Sequence, residues 1–500
     1  MKRWSEIRTH HGMEKLFVDG APFLAIGIQY WFDRCNRIRD FDYLFAHTVR
    51  MGLNTVFFPI RWAAMEAVEG RFDFKPLDHA LRRCRSHGLR MSLLWFGSNQ
   101  GSFNRPVPGW VRDDRARFPR VVDGEGKERD TLCPSNPRLL AAEKRAFDAL
   151  LRHIAAVDGK RHTIILMQIE NEPCLAMRET RKGSFEELDE WILRCHCPVC
   201  GAIHARSGVS DWESGVRALG GHINALLADQ KRLFPVPAYT NWALSLPFAP
   251  RPGNDVELYR QIAPRLDFVA PDFYGMTPGD LAWTMRTFRL AGHLPFMAEA
   301  PTEVVGETDK VLYLCVLDHG AQGYDPWAID HSFGWRACRD QAFEKPPVSR
   351  DGTWSDVAVR YGRAARSLTS AMRQIAHATG SAEIRHYISH AAPQRLEDRL
   401  WGLFWRWENG RDGKWVIVRT GRDDLTITGM DCVVSAYPVD PRRTLTVEAG
   451  RWKENRWIRS GTVPVRTLEA RRRPDPMPVH GFDLADGRAF RLRLARSQGR

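Results

Sequence analysis

The sequence predicts an α/β fold, a (β/α)8 TIM barrel followed by a small all-β domain, on three observations. Short apolar runs alternate with amphipathic helical stretches through eight strand-helix units before residue 380, which is what a closed parallel barrel needs. The run Thr163 to Glu172, TIILMQIENE, is continuously apolar at first, as a strand covered on both faces must be, and then ends in two carboxylates with an amide between them. Beyond about Glu383 the helical period disappears and short Trp-rich strands take over. The expected division is a barrel over 1–385 and a β-rich domain over 386–500.

Taken in order, Leu16 to Val18, the turn pair Asp19-Gly20 and the run Phe23 to Ile28 predict a hairpin whose second strand continues into Gln29 and Tyr30. A helix from Asp40 stops at Gly52 before the strand Thr55 to Ile60, and the helix Leu77 to His87 stops at Gly88 before the strand Met91 to Trp95. Helix Pro137 to Val157 leads to the strand at Thr163. The units continue with helix Val216 to Leu233, strand Val236 to Thr240, helix Val256 to Ile262, strand Phe268 to Ala270 and helix Leu281 to Leu290. Strand Pro295 to Ala298, helix Lys310 to His319, a strand near Gly323 and a long helix Val357 to Ala378 complete the barrel. In the second domain Asn409-Gly410 reads as the turn of a hairpin between Trp401 to Trp407 and Trp415 to Thr420, with further strands at Leu425 to Thr428 and Thr444 to Val447. The cluster Arg471-Arg472-Arg473 with Pro474 and Pro476 reads as an exposed connection.

Five hundred residues, 43% hydrophobic and 11% aromatic, suffice for a large core and two domains. The start MKRWSEIRTHHG has no apolar segment of a signal peptide behind it, and no run approaches a membrane span, so a cytoplasmic protein without a membrane partner is expected. Of the net charge of +13, the last fifty residues hold 13 Lys and Arg against 5 Asp and Glu. That distribution reads as a solvated surface, and no nucleic-acid motif accompanies it.

The charged end of the buried strand needs a reason, because an unpaired carboxylate in a barrel interior is costly. A polar pocket at the C-terminal mouth supplies it. Alternation would put Gln168, Glu170 and Glu172 on one face, with Glu170 about 6.6 Å deeper than Glu172 and suited to a buried hydrogen-bond network. A second acid, Glu299, ends the apolar strand Leu294 to Ala298, three strands later and across the mouth. Two such carboxylates roughly 5 to 5.5 Å apart make a retaining glycosidase, one protonating the leaving oxygen while the other attacks the anomeric carbon.

At these residues the chain resembles the retaining β-galactosidases of the large (β/α)8 glycosidase clan. Gln168-Ile169-Glu170-Asn171-Glu172 is similar to the acid/base strand of glycoside hydrolase family 35. Trp62 with Glu66, Glu69-Gly70, Phe72-Asp73-Phe74, Cys133-Pro134-Ser135-Asn136-Pro137, Asp272-Phe273-Tyr274, Met297-Ala298-Glu299 and Gly320-Ala321-Gln322-Gly323 resemble family 42. The resemblance spans roughly residues 14 to 380. It implies Glu172 as general acid/base, Glu299 as nucleophile, Asn171 on the sugar 2-hydroxyl, Tyr274 on the nucleophile and Trp327 as a stacking platform. The implied partner is a terminal β-D-galactoside or oligosaccharide, and the implied state an assembly of copies. Arabinosides, fucosides and mannosides are the alternative substrates.

Three of the ten cysteines form the knot Cys195-His196-Cys197-Pro198-Val199-Cys200. In a chain without a secretory signal this pattern reads as metal ligation before disulfide, and thiolate-rich tetrahedral coordination favours zinc. The family 42 resemblance nominates Cys133 as fourth ligand, with Cys174 and His204 as alternatives. Such a closed site leaves no position for water, so the zinc is expected to be structural, with no cofactor for catalysis. Two other classes compete with the glycosidase reading: a non-catalytic carbohydrate-binding barrel and a zinc-dependent hydrolase.

Overall fold

The computed structural model describes residues 3–100, 106–173, 192–243, 252–273, 277–290, 292–301, 308–327, 330, 347–389, 394–453, 455–463, 465–468, 477–484 and 488–496. Eight parallel strands close into the predicted barrel: β1 (Ala25–Gln29), β2 (Thr55–Arg61), β3 (Arg90–Gln100), β4 (Ile164–Asn171), β5 (Ala238–Ala243), β6 (Phe268–Asp272), β7 (Met297–Pro301) and β8 (Gly323–Trp327). Each pairs with the next in chain order, and β8 closes on β1 through Gly323↔Ala25 and Tyr324↔Ile26. Aromatic rings pack in the interior, with Tyr239 4.9 Å from Phe268 and 5.3 Å from Phe296. Glycines make room for them: a Cβ on Gly323 would lie 2.0 Å from Phe296, and one on Gly27 2.5 Å from Phe57.

Two outer helices matter for the site. Pro137–Asp158 is capped by Asn136, whose side chain accepts from the backbone of Arg138 and Leu139. Asp211–Leu233 is capped by Ser210, which accepts from Glu213 N. The stretch predicted as one helix over 357–378 is broken at Ala371, giving Asp356–Ser370 and Met372–Ala378. The stretch predicted over 310–319 is an α-helix at Thr308–Tyr313 that widens into a π-turn at Leu314–Asp318.

The predicted N-terminal hairpin is present but short: Met13–Val18 turns at Asp19-Gly20 and pairs with Ala21–Pro22 only, after which the chain enters β1. An additional strand, Ser5–His10, pairs with Met13–Val18. This ribbon covers the N-terminal end of the barrel, where Trp4 Nε1 and Ser5 Oγ donate to the carbonyls of Ile164 and Ile165 at 2.8 and 2.6 Å.

The described residues of the C-terminal part form an antiparallel sheet of nine strands. Asn409-Gly410 is not its hairpin turn. The strand Leu403–Gly421 runs through that pair and lies along Asp424–Pro438, with Asn409 opposite Cys432 and Lys414 opposite Met430. The intervening residues form a bulge facing Asp431. The bulge delivers Lys414 to a buried partner, its Nζ donating to Asp309 Oδ2 at 2.7 Å, an ion pair that ties the sheet to the barrel. The Asn-Gly signal marks a bulge here because that buried charge pair outweighs the local turn preference. The predicted Arg-Pro connection at 471–476 lies outside the described residues. Among the described residues no helix is long and apolar enough to cross a membrane.

Candidate active site and metal centre

The mouth of the barrel gathers Glu172, which follows β4, Asp272 from the end of β6 and Glu299 from β7, with one carboxylate oxygen of each within 4.8 Å of those of the other two. Asp272 and Glu299 are register partners on adjacent strands. Glu172 has a left-handed backbone, φ 46°, and its N–H donates to Asn241 Oδ1 at 2.9 Å. Asn241, on β5, spends its two amide hydrogens on Asn171 Oδ1 (3.1 Å) and Asp272 Oδ2 (2.8 Å). Gln168 Nε2 also donates to Asn171 Oδ1 at 3.0 Å. The predicted sugar contact Asn171 therefore has its oxygen committed to protein, which leaves its NH2 group to act as donor.

Burial pushes the Glu172 carboxyl up to about 7, against a hydrogen bond from Asp272 that favours its anion. Burial, then the Glu299 and Glu172 charges, hold Asp272 well above the usual carboxylate range. Glu299 is likewise held high, by burial first and the Glu172 charge second, while a hydrogen bond from Gln29 on β1 favours its ionised form. So compact a set cannot ionise together, and its titration belongs to the group as a whole.

Of the other predicted contacts, Trp327 ends β8 at the mouth, partly exposed, 5.3 Å from the ring of Trp31. Tyr274 lies outside the described residues. The sequence alone assigned no role to Asn241, Gln29 or Asp325, nor to Asp272, although Asp272 stands in the Asp272-Phe273-Tyr274 segment that resembles family 42. The signal for Asp325 was legible as an acid inside the eighth apolar strand. It is fully buried, burial and the Glu299 charge raise its carboxyl, and neither oxygen has a hydrogen-bond partner among the described residues.

Glu170 does not share a face with Glu172. Its φ of 61° interrupts the alternation, and it turns to a buried network between strand and helices. It accepts from the backbone of Ser98 (3.0 Å) and Asn99 (2.9 Å) and faces Glu143 of helix Pro137–Asp158. Glu143 accepts from Trp95 Nε1 at 2.9 Å and pairs with His222 Nε2 at 2.8 Å, and the other nitrogen of His222 lies 3.2 Å from the Pro134 carbonyl. Burial alone would raise Glu143, but the His222 charge and hydrogen bond and a bond from Glu170 outweigh it and hold Glu143 at about 2. Burial and the Glu143 charge push Glu170 well up, so it keeps the proton that it shares. Gly97 is required beside this network, because a Cβ there would lie 1.9 Å from Glu143 Oε1.

Pro134 follows directly on Cys133, and Cys133, Cys195, Cys197 and Cys200 converge in a buried cluster with sulfurs within 4.8 Å of one another. Cys133 Sγ stands 3.5 Å from Cys200 Sγ and 3.8 Å from Cys197 Sγ. Tetrahedral zinc with Zn–S near 2.3 Å requires S···S separations of roughly 3.8 Å, so the four thiols fit a closed zinc site. Hydrogen bonds from Cys133 and Cys200, with the N–H groups of Val122 and Cys197, draw Cys195 toward the thiolate. His204, one alternative ligand, is 3.3 Å from Asp211 and stands apart from the four sulfurs. Cys174, the other, lies outside the described residues.

No protein-family model matches the chain, and no curated protein matches it in sequence. Solved structures do match in fold. A β-galactosidase from the psychrophilic Marinomonas ef1 is 12% identical, with a TM-score of 0.53 over 74% of this chain and 62% of that one. A family 42 β-galactosidase from G. stearothermophilus is 14% identical, with a TM-score of 0.53 over 72% of this chain and 58% of that one. The β-galactosidase from Rahnella sp. R3 is 18% identical, with a TM-score of 0.52 over 71% and 57%. The chain thus spans about three fifths of the length of these enzymes. Its barrel has the fold of (β/α)8 glycosidases, at sequence identities too low to assign a family.

Proposed function

We propose that this protein is a retaining exo-glycosidase that hydrolyses terminal β-D-galactosides by double displacement. The observation that carries the reading is the approach of the Glu172 and Glu299 carboxylates to within 4.8 Å across the barrel mouth, in keeping with the short spacing of retaining enzymes. Glu299 attacks the anomeric carbon as a carboxylate and forms a glycosyl-enzyme ester. Glu172 gives its proton to the departing oxygen and then takes one from the water that hydrolyses the ester. Gln29 steadies the charge on Glu299, and Asn241 fixes the backbone at Glu172. Asn171 donates to the sugar 2-hydroxyl, Tyr274 bonds the nucleophile, and Trp327 with Trp31 forms the stacking wall. Galactose is favoured by the motif resemblance and by the fold neighbours named β-galactosidases.

In the same reading Cys133, Cys195, Cys197 and Cys200 hold a structural zinc, which braces the loops on the β4 side of the mouth and supplies no step of the reaction.

A panel of nitrophenyl glycosides tests the sugar. The galactoside should be turned over fastest, and preference for an arabinoside, fucoside or mannoside would redirect the assignment. Glu299→Ala should abolish hydrolysis of the preferred substrate, and azide should restore part of it by attacking from the vacated face. Near-normal activity in that variant would exclude Glu299 as nucleophile.

A further inference from the structure

The N-terminal hairpin formed by Ser5–His10 and Met13–Val18 carries a cluster of ligating side chains far from the mouth. Its turn is His11-Gly12, both with positive φ (52° and 71°), the two-residue mirror-image turn that suits right-twisted strands. Successive strand residues point to opposite faces, but the left-handed backbone at His11 swings its ring back beside that of His10, with centroids 4.1 Å apart. His377, near the end of helix Met372–Ala378, completes the group, 4.8 Å from His10 and 5.6 Å from His11 between centroids. One ring nitrogen of each lies within 4.8 Å of the other two. His10 Nε2 is shielded from solvent with no hydrogen-bond partner among the described residues.

We propose that His10, His11 and His377 form a binding site for a divalent transition-metal ion of the zinc, nickel or copper class, clasping the N-terminal hairpin to the end of helix Met372–Ala378. Three imidazoles without carboxylate or carbonyl ligands select these ions over magnesium or calcium. Metal–nitrogen bonds of about 2.0–2.1 Å in tetrahedral geometry need nitrogens roughly 3.3 Å apart. The rings therefore close by at most about an ångström and a half, and His11 and His377 are exposed enough to rotate that far. The fourth position is left to water. Burial first, and then their neighbours' charges, hold His10 and His377 below the ordinary histidine value. Lys15 is the nearby cation, and its ammonium is turned into the helix end, donating to the carbonyls of Ala376, His377 and Thr379 at 2.8, 2.9 and 2.7 Å. The hairpin sits where β4 begins, opposite the acids of the mouth, so the ion acts on the fold, and the site stands whether or not the glycosidase reading holds.

The test is calorimetric titration of Zn2+ into the purified full-length protein, with melting curves in the same buffers. Wild type should take up one ion beyond the cysteine centre and melt at higher temperature with zinc. His11→Asn keeps a residue at ease with the left-handed backbone, so the hairpin and the zinc-free melting temperature should persist while zinc affinity falls tenfold or more. His377→Gln should behave alike. Added Co2+ should give only the weak bands of a nitrogen-oxygen site at the extra equivalent, without the intense sulfur-to-metal absorption of the cysteine centre. Equal stoichiometry and affinity in wild type and both variants, or no extra equivalent in wild type, would overturn the proposal.

Discussion

Glu172→Gln should stabilise the protein, and only at the upper end of the pH range. An ordinary glutamate loses its proton near 4.5, whereas burial at the mouth raises that of Glu172 to about 7. A carboxyl raised in the folded state favours folding fully below its unfolded value and loses that contribution as the pH climbs through the folded value. At about 1.4 kcal/mol per pH unit the ceiling is about 3.5 kcal/mol. Partial exposure of the side chain reduces this, so a gain of about 1–3 kcal/mol for the isosteric amide is expected at pH 8. Near pH 4.5 the gain should vanish. Urea denaturation at pH 4.5, 6 and 8, followed by tryptophan fluorescence, measures it. The barrel and the C-terminal sheet need not unfold together, so the barrel transition is the one to compare. A variant equally stable relative to wild type at all three values, or less stable at pH 8, would refute the claim that the fold strains to keep an acid at this position. The same variant should lose turnover of glycosides with poor leaving groups far more than of activated aryl glycosides, because only the former need the proton.

Gly97→Ala would drive a methyl group into Glu143 and Glu170, and should cost about 1–3 kcal/mol and reduce turnover together; an unchanged melting temperature with unchanged activity would show that the network accommodates it. Cys197→Ser should lose about one zinc per chain by elemental analysis and melt earlier, since a closed four-thiolate site stabilises only the folded form. A fully folded and active preparation without metal would leave the four cysteines as ordinary thiols.

The barrel was legible because its strands are uninterrupted apolar runs and several helices end at glycine, as at Gly52 and Gly88, whose φ values are 76° and 67°. Glu172 and Glu299 were legible for a related reason, since an acid terminating an apolar barrel strand has few places to go but the mouth. The alternation rule failed at Glu170. It assumes extended backbone throughout, and left-handed residues at Glu170 and Glu172 send the two carboxylates to different sides of the strand. Asn241 and Gln29 were missed because their place in the site depends on neighbours brought in from other strands, which no local pattern records, whereas Asp272 ends the apolar strand β6 and carries the same local signal as Glu299. The misread Asn409-Gly410 pair has the same origin, a local turn preference overridden by the distant Asp309.

The left-handed backbone at Glu170 and Glu172 has a further consequence. Glu170 turns away from the pocket into a network that runs through Glu143 and His222 to the Pro134 carbonyl beside Cys133. The same left-handed stretch leaves Glu172 with Asp272 and Glu299. Two groups of buried acids therefore lie back to back along one strand. In the outer group His222 compensates one negative charge, on Glu143, while Glu170 keeps its proton. In the inner group the hydrogen-bond donors that favour a charge are the Gln29 amide at Glu299 and the Asp272 carboxyl at Glu172. Asp325, with no donor among the described residues and Glu299 nearby, is driven toward its neutral form. Burial thus makes each further ionisation in the inner group unfavourable, and the proposed mechanism needs the one charge on Glu299 and the proton on Glu172. The alternative placement, anion on Glu172 and proton on Glu299, is the same one-charge state with the proton moved across a gap of less than 4.8 Å. The proposed double displacement starts from the first arrangement; the Gln29 hydrogen bond favours it, and the Asp272 hydrogen bond to Glu172 favours the second.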